Sequence, residues 1–481
     1  MTASEAFPDM VTNNQRRATK IVATLGNVSS DPDCLRRLIE AGVNVFRLNF
    51  SHGTQEEQGA RIDAIRQIET ETGMPTCILA DMQGPKYRIS EVADGVAIKA
   101  GDLITFDQDE AIGSAIRVGM PHPEIFAAMY PGARFLMDDG KLVLVVKSLS
   151  DDSFVAEVVV GGPLKSRKGV NIPDIVLDTK PLTDKDLSDL EFALSKNVDW
   201  VALSFVQRAS DMVEARALVG KRAALMAKIE KPAALKELGA IIEASDGIMV
   251  ARGDLGVELP PEDVPAWQKK IIAKCRLVGK PVVVATQMLE SMITAPAPTR
   301  AEASDVAGAV FDGTDAVMLS AETAAGQYPI ESVEIMARIV RAAEAHIRED
   351  AASKYAQLPV EPTVYHAVAR ASVALADAVD ADVMVAFSTS GNTAIRIARE
   401  RPDTPFIVMT PHMEVQRRLA LLWGTTTAHS AYSHDFENAI AEAADLVRKN
   451  GMASNGGHIV VVAGMPFGIA GTTNSMRVVR I

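Results

Sequence analysis

The sequence predicts an α/β fold built on a (β/α)₈ TIM barrel, with an inserted β domain and a C-terminal α/β domain. Short apolar runs recur along the first 346 residues, and most are separated by helix-like segments. The runs are continuously apolar, as parallel strands buried on both faces require. Eight strand–helix units are typical of a closed barrel. The predicted strands span residues 19–24, 43–48, 76–80, 200–204, 224–229, 247–251, 281–285 and 316–319.

The first two helices are predicted from their end signals. Asp31 can cap the first helix, Pro32 suits its first turn, and Gly42 can close it. The second helix begins at a capping-box pattern, Thr54 with Glu57. Helices therefore follow the first and second strands directly, as a barrel requires.

Residues 88–171 interrupt the barrel pattern. Strand-like runs at 96–98, 103–105, 142–146 and 154–160 alternate with turn signals, without a long helical pattern. We expect a small inserted β-barrel domain. It follows the C-terminal end of the third barrel strand, and active sites of such barrels lie at the face formed by these strand ends. The inserted domain is therefore placed to act as a lid over the active site.

The remaining boundaries follow from composition. Residues 1–17 are polar and predict a flexible tail, which leaves 18–87 and 172–346 for the barrel. After a proline-containing linker at 359–362, a long alanine-rich helix and four strand-like runs predict a separate domain over 347–481. The helix spans 364–378, and the strands span 383–387, 406–409, 458–463 and 476–479.

Charge and cysteine content exclude several classes of protein. The formal net charge of −13 argues against nucleic acid or an anionic membrane as a partner. The cysteines, Cys34, Cys77 and Cys275, are too scattered for a disulfide framework or a zinc site. We find no signal peptide and no apolar run long enough to span a membrane. A cytoplasmic protein with buried thiols is expected.

The ends of the fifth and sixth strands carry the strongest candidate chemistry. Lys228 and Glu230 are two residues apart, so both project to the same side of one strand. Asp254 follows the next strand, and two carboxylates can hold a divalent cation such as Mg²⁺. A lysine beside that cation suits an anion that is transferred or polarised. A simple Lys228–Glu230 salt bridge is the alternative.

Other strand ends add cations and oxygen atoms. Arg47 suits forked binding of a phosphate or carboxylate. Asn49 and Ser51 share its side of the strand and offer neutral oxygens for a monovalent cation, although Ser51 could simply belong to the turn before the next helix. Asp81 is a further oxygen ligand, and Arg88 is a further phosphate candidate.

Two more groups complete the predicted site. Thr286 places a hydroxyl at the end of the seventh strand, and Lys168 lies in a basic stretch at 165–168 that returns from the inserted domain. That stretch could be a solvated surface, but its position beside the barrel mouth favours phosphate contact. Metal, positioned cations and a lid are what phosphoryl transfer requires. No G-x-x-x-x-G-K-[ST] loop is present, so a nucleotide would be held another way.

The chain resembles the pyruvate kinase family over nearly its whole length. The resemblance is carried, in order, by TKIV at 19–22, FRLNFSHG at 46–53, KGVN at 168–171, KIE at 228–230, IMVARGDLG at 248–256, ATQMLESM at 285–292 and PTRAE at 298–302. It implies transfer of a phosphoryl group from phosphoenolpyruvate to ADP, giving pyruvate and ATP in the last step of glycolysis. It also implies a divalent metal, Mg²⁺ or Mn²⁺, and a homotetramer.

The resemblance also implies roles for individual residues in substrate binding. Glu230 and Asp254 would ligate the divalent metal, and the backbone of Gly253 and Asp254 would contact the substrate carboxylate. The catalytic group would comprise Lys228 on the transferred phosphoryl, Arg47 on the substrate phosphate, and Thr286 where the enolate is protonated.

A second set of implied roles concerns the nucleotide and a potassium ion. The nucleotide would meet Asn49, Phe50, Ser51, His52, Arg88 and Lys168. The potassium site would be formed by Asn49, Ser51, Asp81 and the carbonyl of Met82.

One departure from the family pattern concerns potassium. Where many members have Thr-Lys-Gly-Pro-Glu, this chain has Met82-Gln83-Gly84-Pro85-Lys86. The ammonium of Lys86 can replace a bound cation electrostatically, and within the family lysine here goes with potassium-independent activity. We therefore expect a potassium-independent enzyme whose potassium ligands are redundant.

The C-terminal domain resembles the regulatory domain of the family. A strand is followed by a turn that opens a helix, a geometry suited to phosphate. The turn consists of Ser388, Thr389, Ser390, Gly391, Asn392 and Thr393. One hypothesis is that this turn binds the phosphate of a sugar-phosphate effector. The alternative is a capped turn that binds no ligand.

Two other functions would explain part of this pattern. A metal-dependent lyase or aldolase acting on pyruvate enolate could use Glu230 and Asp254 but would not need Lys228, Arg88 and the basic stretch together. A scaffold without activity would be expected to lose the Lys228–Glu230 or Gly253–Asp254 pair, and both are present.

Overall fold

The structure is a computed structural model that describes residues 17–177, 179–350, 355, 358–359, 361–430, 435–466 and 472–481. It confirms the barrel with two further domains. The chain begins with strands and helices in alternation, each helix capped as its sequence predicts. These elements are β1 (Lys20–Thr24), α1 (Pro32–Ala41), β2 (Val45–Asn49), α2 (Gln55–Thr72) and β3 (Cys77–Met82). Asp31 accepts hydrogen bonds from the first turn of α1, Gly42 ends it with a φ of 117°, and the Thr54–Glu57 capping box is formed.

The inserted segment is all-β apart from one short helix. Its elements are β4 (Ala97–Ile98), β5 (Leu103–Asp107), β6 (Arg117–Gly119), α3 (Pro123–Ala128), β7 (Arg134–Met137), β8 (Leu142–Ser150), β9 (Ser153–Val160), β10 (Gly162–Pro163) and β11 (Val170–Asn171). The main sheet has the order β11-β7-β8-β9-β5-β6.

The inserted sheet differs from the small barrel that we expected. Its outer strands, β6 and β11, do not pair with each other among the described residues, so the sheet is open. Three phenylalanines pack together in the core of the inserted domain: the rings of Phe106 and Phe154 stack at 5.0 Å between centroids, and Phe135 packs against both. Aromatic side chains bury a large apolar area, so this cluster stabilises the inserted domain.

The chain then returns to complete the barrel. The elements are α4 (Asp184–Ser195), β12 (Trp200–Leu203), α5 (Ala209–Val219), β13 (Ala224–Ile229), α6 (Pro232–Lys236), α7 (Leu238–Ala244), β14 (Gly247–Ala251), α8 (Arg252–Glu258), α9 (Val264–Leu277), β15 (Val282–Ala285), α10 (Arg300–Asp312), β16 (Ala316–Leu319), α11 (Ala321–Ala324) and α12 (Pro329–Glu349). The strands close in the order β1-β16-β15-β14-β13-β12-β3-β2, and all pairs are parallel. All eight strand C-termini therefore meet at one face.

The C-terminal domain is a five-stranded sheet between helices. Its elements are α13 (Val364–Ala378), β17 (Val383–Phe387), α14 (Asn392–Glu400), β18 (Phe406–Thr410), α15 (Met413–Leu419), β19 (Thr425–His429), α16 (Phe436–Lys449), β20 (His458–Gly464) and β21 (Thr473–Arg480). The order is β19-β18-β17-β20-β21, with only β21 antiparallel. Leu421 packs among side chains inside the barrel, so this domain closes the face opposite the strand C-termini.

Three details differ from the expected boundaries. Arg17, the last residue of the expected tail, is buried and donates hydrogen bonds to the carbonyl of Gly42 and to Asn44 Oδ1. Residues 1–16 lie outside the described residues. Helix α12 runs three residues past position 346. Strand β19 was missed because threonines replace the apolar run that marks the other strands.

None of the helices in the described residues is long and apolar enough to cross a membrane.

Candidate active site

Strand β13 ends in a buried cation and a buried carboxylate. Lys228 and Glu230 point to the same side, with Lys228 Nζ 2.9 Å from Glu230 Oε1. Both residues are buried. The period-two prediction for this pair is therefore confirmed, and the salt bridge that we considered as an alternative is present within the candidate site itself.

Asp81 connects this pair to Arg47. Its carboxylate lies 3.2 Å from Lys228 Nζ and accepts a 2.7 Å hydrogen bond from Arg47 Nε. Arg47 also donates to Thr24 Oγ1 at 3.1 Å. Strands β2, β3 and β13 thus bring two cations and two carboxylates together at the C-terminal face of the barrel.

Ser204, for which we predicted no role, lies at the centre of this group. Its hydroxyl accepts a 2.6 Å hydrogen bond from Lys228 Nζ and donates one of 2.8 Å to the carbonyl of Met82. The only signal in the sequence was its position directly after the fourth barrel strand. Ser204 orients the ammonium and occupies one acceptor site of a carbonyl that we expected to bind potassium.

The charges in the group determine one another's ionisation. Burial alone would raise the pKa of Asp81, but Lys228 and Arg47 outweigh it and hold the pKa below its ordinary value. Burial would lower the pKa of Lys228, and Asp81 with Glu230 reverses that and raises it. Burial raises the pKa of Glu230 although Lys228 opposes the shift, and the nearby Asp254 adds to it. The ammonium is therefore strongly held in its charged form.

Glu230 has one oxygen that faces the Lys228 ammonium and could also ligate a metal ion. Its Oε2 accepts a 2.7 Å hydrogen bond from the backbone N–H of Phe205, whereas the buried Oε1 lies 2.9 Å from Lys228 Nζ. Asp254, at the start of α8, is close enough for its charge to raise the pKa of Glu230. Two carboxylates that repel each other in this way are a donor set suited to a hard divalent cation. The described residues contain no cluster of three or more His, Cys, Asp or Glu side chains arranged for a metal.

Thr286 follows β15 in an unusual backbone conformation. Its φ is 69° and that of Gln287 is 55°, both in the left-handed region. Thr286 Oγ1 accepts a 2.7 Å hydrogen bond from the N–H of Gly253. The adjacent Arg252 donates to the carbonyl of Thr286 at 2.8 Å and to Asp305 at 2.6 Å. The backbone of Gly253, predicted to bind the substrate carboxylate, is thus hydrogen-bonded to Thr286, predicted to take part in protonation of the enolate.

The residues after β2 form an exposed turn beside this group. Ser51 and His52 are exposed and Phe50 is buried. Asn49 Oδ1 accepts a 3.1 Å hydrogen bond from the N–H of Ser51. Two of the predicted nucleotide contacts are thus accessible, while Asn49 acts locally within the turn.

The inserted domain presents the remaining predicted contacts. Arg88 and Gly169 form a bridge between the two connecting segments, and Arg88 Nη1 donates to the carbonyl of Arg167 at 3.1 Å. Lys168 Nζ lies 2.7 Å from Asp138 Oδ1. Among the described residues, neither Arg88 nor Lys168 bonds to the Lys228 group, so the structure does not bring the two halves of the predicted site into direct contact.

Lys86 lies on the same connection. It is exposed, and in the described part of the chain it forms no hydrogen bond or ion pair. Its Cε lies 3.4 Å from the point that a β-carbon on Gly169 would occupy. The ammonium is therefore available to the space between barrel and inserted domain.

The predicted effector turn joins β17 to α14. Ser388 Oγ accepts a 3.0 Å hydrogen bond from the N–H of Gly391, whose φ is 87°, and Thr393 Oγ1 lies 2.7 Å from Thr473 Oγ1. Ser390 and Asn392 border a cavity of about 590 Å³ between this domain and the barrel. The expected strand–turn–helix arrangement is present.

The fold and the group at its strand ends define a (β/α)₈ enzyme with buried cations at the mouth of the barrel. Residues 16–333 match the family model described as pyruvate kinase, barrel domain, and residues 366–479 match the model described as pyruvate kinase, alpha/beta domain.

Individual relatives agree with the family models. The chain is 50% identical over 474 residues to a pyruvate kinase of Agrobacterium vitis, with 98% of each chain covered, and 46% identical over 463 residues to a pyruvate kinase of Methylorubrum extorquens, with 96% of this chain and 97% of the relative covered. The crystal structure of a pyruvate kinase from Cryptosporidium parvum superposes with a TM-score of 0.90 at 33% identity over 99% of both chains. The chain therefore belongs to the pyruvate kinase family and is a phosphotransferase.

Proposed function

We propose that this protein transfers the phosphoryl group of phosphoenolpyruvate to ADP with Mg²⁺ as cofactor. The observation that carries the proposal is the buried group of two cations and two carboxylates at the mouth of the barrel, formed by Lys228, Arg47, Asp81 and Glu230. Mg²⁺, or Mn²⁺ in its place, would be held by Glu230 and Asp254, where it would orient the substrate and neutralise its charge.

Lys228 and Arg47 act on the transferred group. Negative charge is spread over the oxygens of a phosphoryl group in flight, and catalysis consists mainly of positioning cations around it. Before substrate arrives, Asp81 balances both cations. Ser204 aligns the ammonium through a hydrogen bond. Transfer to ADP breaks the phosphoenol ester bond and leaves an enolate.

Thr286 contributes to protonation of that enolate. Its hydroxyl accepts a hydrogen bond from Gly253 and donates one to the carbonyl of Ala285, so the oxygen has a fixed position. We assign Thr286 Oγ1 to the relay that brings a proton, by way of water, to the enolate carbon. The N–H groups of Gly253 and Asp254 would meet the substrate carboxylate.

The exposed turn and the inserted domain are assigned to the nucleotide. His52, Arg88 and Lys168 supply positive or polar contacts, and Asn49, Phe50 and Ser51 shape the turn. Closure of the inserted domain would bring Arg88 and Lys168 to the barrel mouth and exclude water. Domain boundaries at 88 and 171 fit the bridge between Arg88 and Gly169.

Potassium independence is proposed from Lys86 and from the present partners of the potassium ligands. Asp81 is paired with two cations, and the Met82 carbonyl accepts from Ser204. Asn49 Oδ1 accepts from Ser51. These oxygens are already neutralised or hydrogen-bonded, and the exposed ammonium of Lys86 can add positive charge when the inserted domain closes.

Regulation by a sugar phosphate is proposed for the turn of residues 388–393. Backbone N–H groups at the start of α14 can receive a phosphate. The adjoining cavity is also lined by Arg216, Lys221, Lys280 and Arg418. A homotetramer and a cytoplasmic location complete the proposal, the latter supported by the thiols of Cys34, Cys77 and Cys275, which form no disulfides.

Pyruvate formation from phosphoenolpyruvate and ADP tests the proposal. Turnover that needs Mg²⁺ but not potassium is expected, with an altered substrate affinity or cooperativity when a suitable sugar phosphate is added. Turnover only with potassium would remove the Lys86 argument and keep the kinase. No turnover by folded protein, with or without effectors, would overturn the proposal.

A further inference from the structure

In the described part of the chain, Arg276 is a buried cation without a hydrogen-bonding partner. It lies in the last turn of α9 and is 8% exposed. Among the described residues its guanidinium forms no hydrogen bond or ion pair, and its Nε is fully buried without an acceptor. Arginines at such depth are ordinarily paired, because an isolated buried charge loses its hydration.

The surroundings of Arg276 favour a cation but supply no acceptor. The Tyr355 ring lies 5.1 Å from its guanidinium carbon, and the last turn of a helix attracts positive charge. The nearby acids have other partners: Asp315 pairs with Arg401 at 3.0 Å, and Glu400 pairs with Arg399 at 2.8 Å. Asp377 and Asp403, which border the same cavity, also have interactions of their own. Burial, and then the charge of Arg401, lower the pKa of Arg276 to about 10. Among the described residues, no carboxylate therefore pairs with the Arg276 guanidinium.

Arg276 lines a cavity between the barrel and the C-terminal domain. The cavity has a volume of about 230 Å³ and is bordered on the other side by α13 and α14. Four arginines and three acidic residues line it among the described residues; the arginines are Arg276, Arg370, Arg399 and Arg401. Since sites for drug-sized ligands measure about 300–1,000 Å³, this cavity suits a small ion or a single charged group.

We propose that this cavity binds a small oxyanion, a phosphate or a carboxylate group, through the guanidinium of Arg276. The planar fork of arginine matches both groups. The anion would connect α9 of the barrel with the cationic lining from α13 and α14, and would stabilise the contact between the two domains. The site is separate from the effector turn, because Arg399 and Arg401 lie at the opposite end of α14 from Gly391 and Asn392.

Thermal unfolding of the full chain tests the site. Sodium phosphate and sodium succinate are compared with sodium chloride at equal ionic strength, for the unaltered protein, Arg276→Met and Arg222→Met. Arg222 is a surface arginine paired with Glu191, so its variant controls for loss of a positive charge. Both variants keep the active site and the effector turn, so anion binding there is common to all three proteins.

We expect phosphate or succinate to raise the midpoint temperature of thermal unfolding of the unaltered protein by about 2–4 °C. This is the shift expected for a ligand present at a concentration several times its dissociation constant. Most of this shift should be lost in Arg276→Met and kept in Arg222→Met. A shift with phosphate alone identifies a phosphate site, and a shift with succinate alone a carboxylate site. In chloride, Arg276→Met should be at least as stable as the unaltered protein, because it removes an uncompensated buried charge. An undiminished anion shift in Arg276→Met, or a strongly destabilised variant in chloride, would overturn the proposal.

Crystals of the unaltered protein grown with millimolar selenate provide a test that needs no variant. An anomalous selenium peak within hydrogen-bonding distance of the Arg276 guanidinium supports the site. Peaks confined to the active site or the effector turn, with only water at Arg276, would refute it.

Discussion

Arg252 and Thr286 are joined by a 2.8 Å hydrogen bond from the guanidinium to the Thr286 carbonyl oxygen. The same guanidinium is held by Asp305 at 2.6 Å. Thr286 and Gln287 both have positive φ. This backbone conformation costs about 1–3 kcal/mol per residue, so it persists only where surrounding contacts hold it in place. Arg252 thus acts as a positioning residue: it fixes the backbone that aims the Thr286 hydroxyl at Gly253.

Replacement of Arg252 by lysine should lower kcat by about 10- to 100-fold. Lysine cannot bind Asp305 and the Thr286 carbonyl at the same time through a planar guanidinium, and a displacement of the Thr286 hydroxyl by about 1 Å can reduce the rate by that factor. The KM for phosphoenolpyruvate should change far less. Steady-state kinetics measure both values. Arg222→Lys is the matched control on the barrel surface. Equal kcat in the two variants would show that Arg252 does not position Thr286.

Replacement of Lys228 by methionine should lower kcat by about 10²- to 10³-fold, the loss expected when one charge-stabilising donor is removed. It should also destabilise the fold by about 3–5 kcal/mol, since Glu230 loses its only cation partner in the described residues. Kinetics and denaturant unfolding check the two effects. Lys231→Met serves as control, because Lys231 pairs with Glu258 instead. Activity within a few-fold of normal would contradict the assigned role.

The contact between His122 and the backbone of Arg88 should make the stability of the protein depend on pH. Its Nε2 lies 3.1 Å from both the N–H and the carbonyl oxygen of Arg88. Burial lowers the pKa of His122 below 6.5, although Glu124 and the Arg88 carbonyl oppose the shift. Because the folded state binds this proton less tightly than the unfolded state, the contribution to stability is full above pH 6.5 and is lost as the pH falls through the folded pKa.

His122→Gln provides the test of that pH dependence, since glutamine cannot titrate. Thermal midpoints of the two proteins are compared from neutral pH downward. The unaltered protein should lose stability relative to the variant below pH 6.5. A constant difference across the range would show that His122 does not titrate differently on folding.

Replacement of Lys86 by glutamate should create a potassium requirement. The substitution removes the exposed ammonium and introduces a carboxylate, whose negative charge a bound potassium ion would neutralise. We expect turnover without potassium to fall by about tenfold or more, as removal of one well-placed charge ordinarily does, and potassium to restore it. Assays in potassium and in tetramethylammonium chloride measure this, with the exposed Lys99→Glu as control. Full activity of Lys86→Glu without potassium would refute the substitution argument.

Most of the barrel strands were predicted from short apolar runs in the sequence. Nearly continuous apolar runs predicted β13, β14 and β16 to the residue, because strands buried on both faces are mostly apolar, with Lys228 as the one charged position in these three. The same rule failed for the threonine-rich β19. It also could not distinguish a closed small barrel from the open inserted sheet, since closure depends on whether distant edge strands meet.

The sequence by itself determined the barrel, the common direction of Lys228 and Glu230 and the set of charged residues at the strand ends, because the period of two in a strand and the alternation of apolar strands with helices can be read locally along the chain. Only the tertiary structure decided which partners these charges take. Asp81 meets both cations, Ser204 aligns Lys228, and Arg276 is buried without a partner among the described residues. Such contacts join positions far apart in the chain, and their distances follow from packing, which no local pattern encodes.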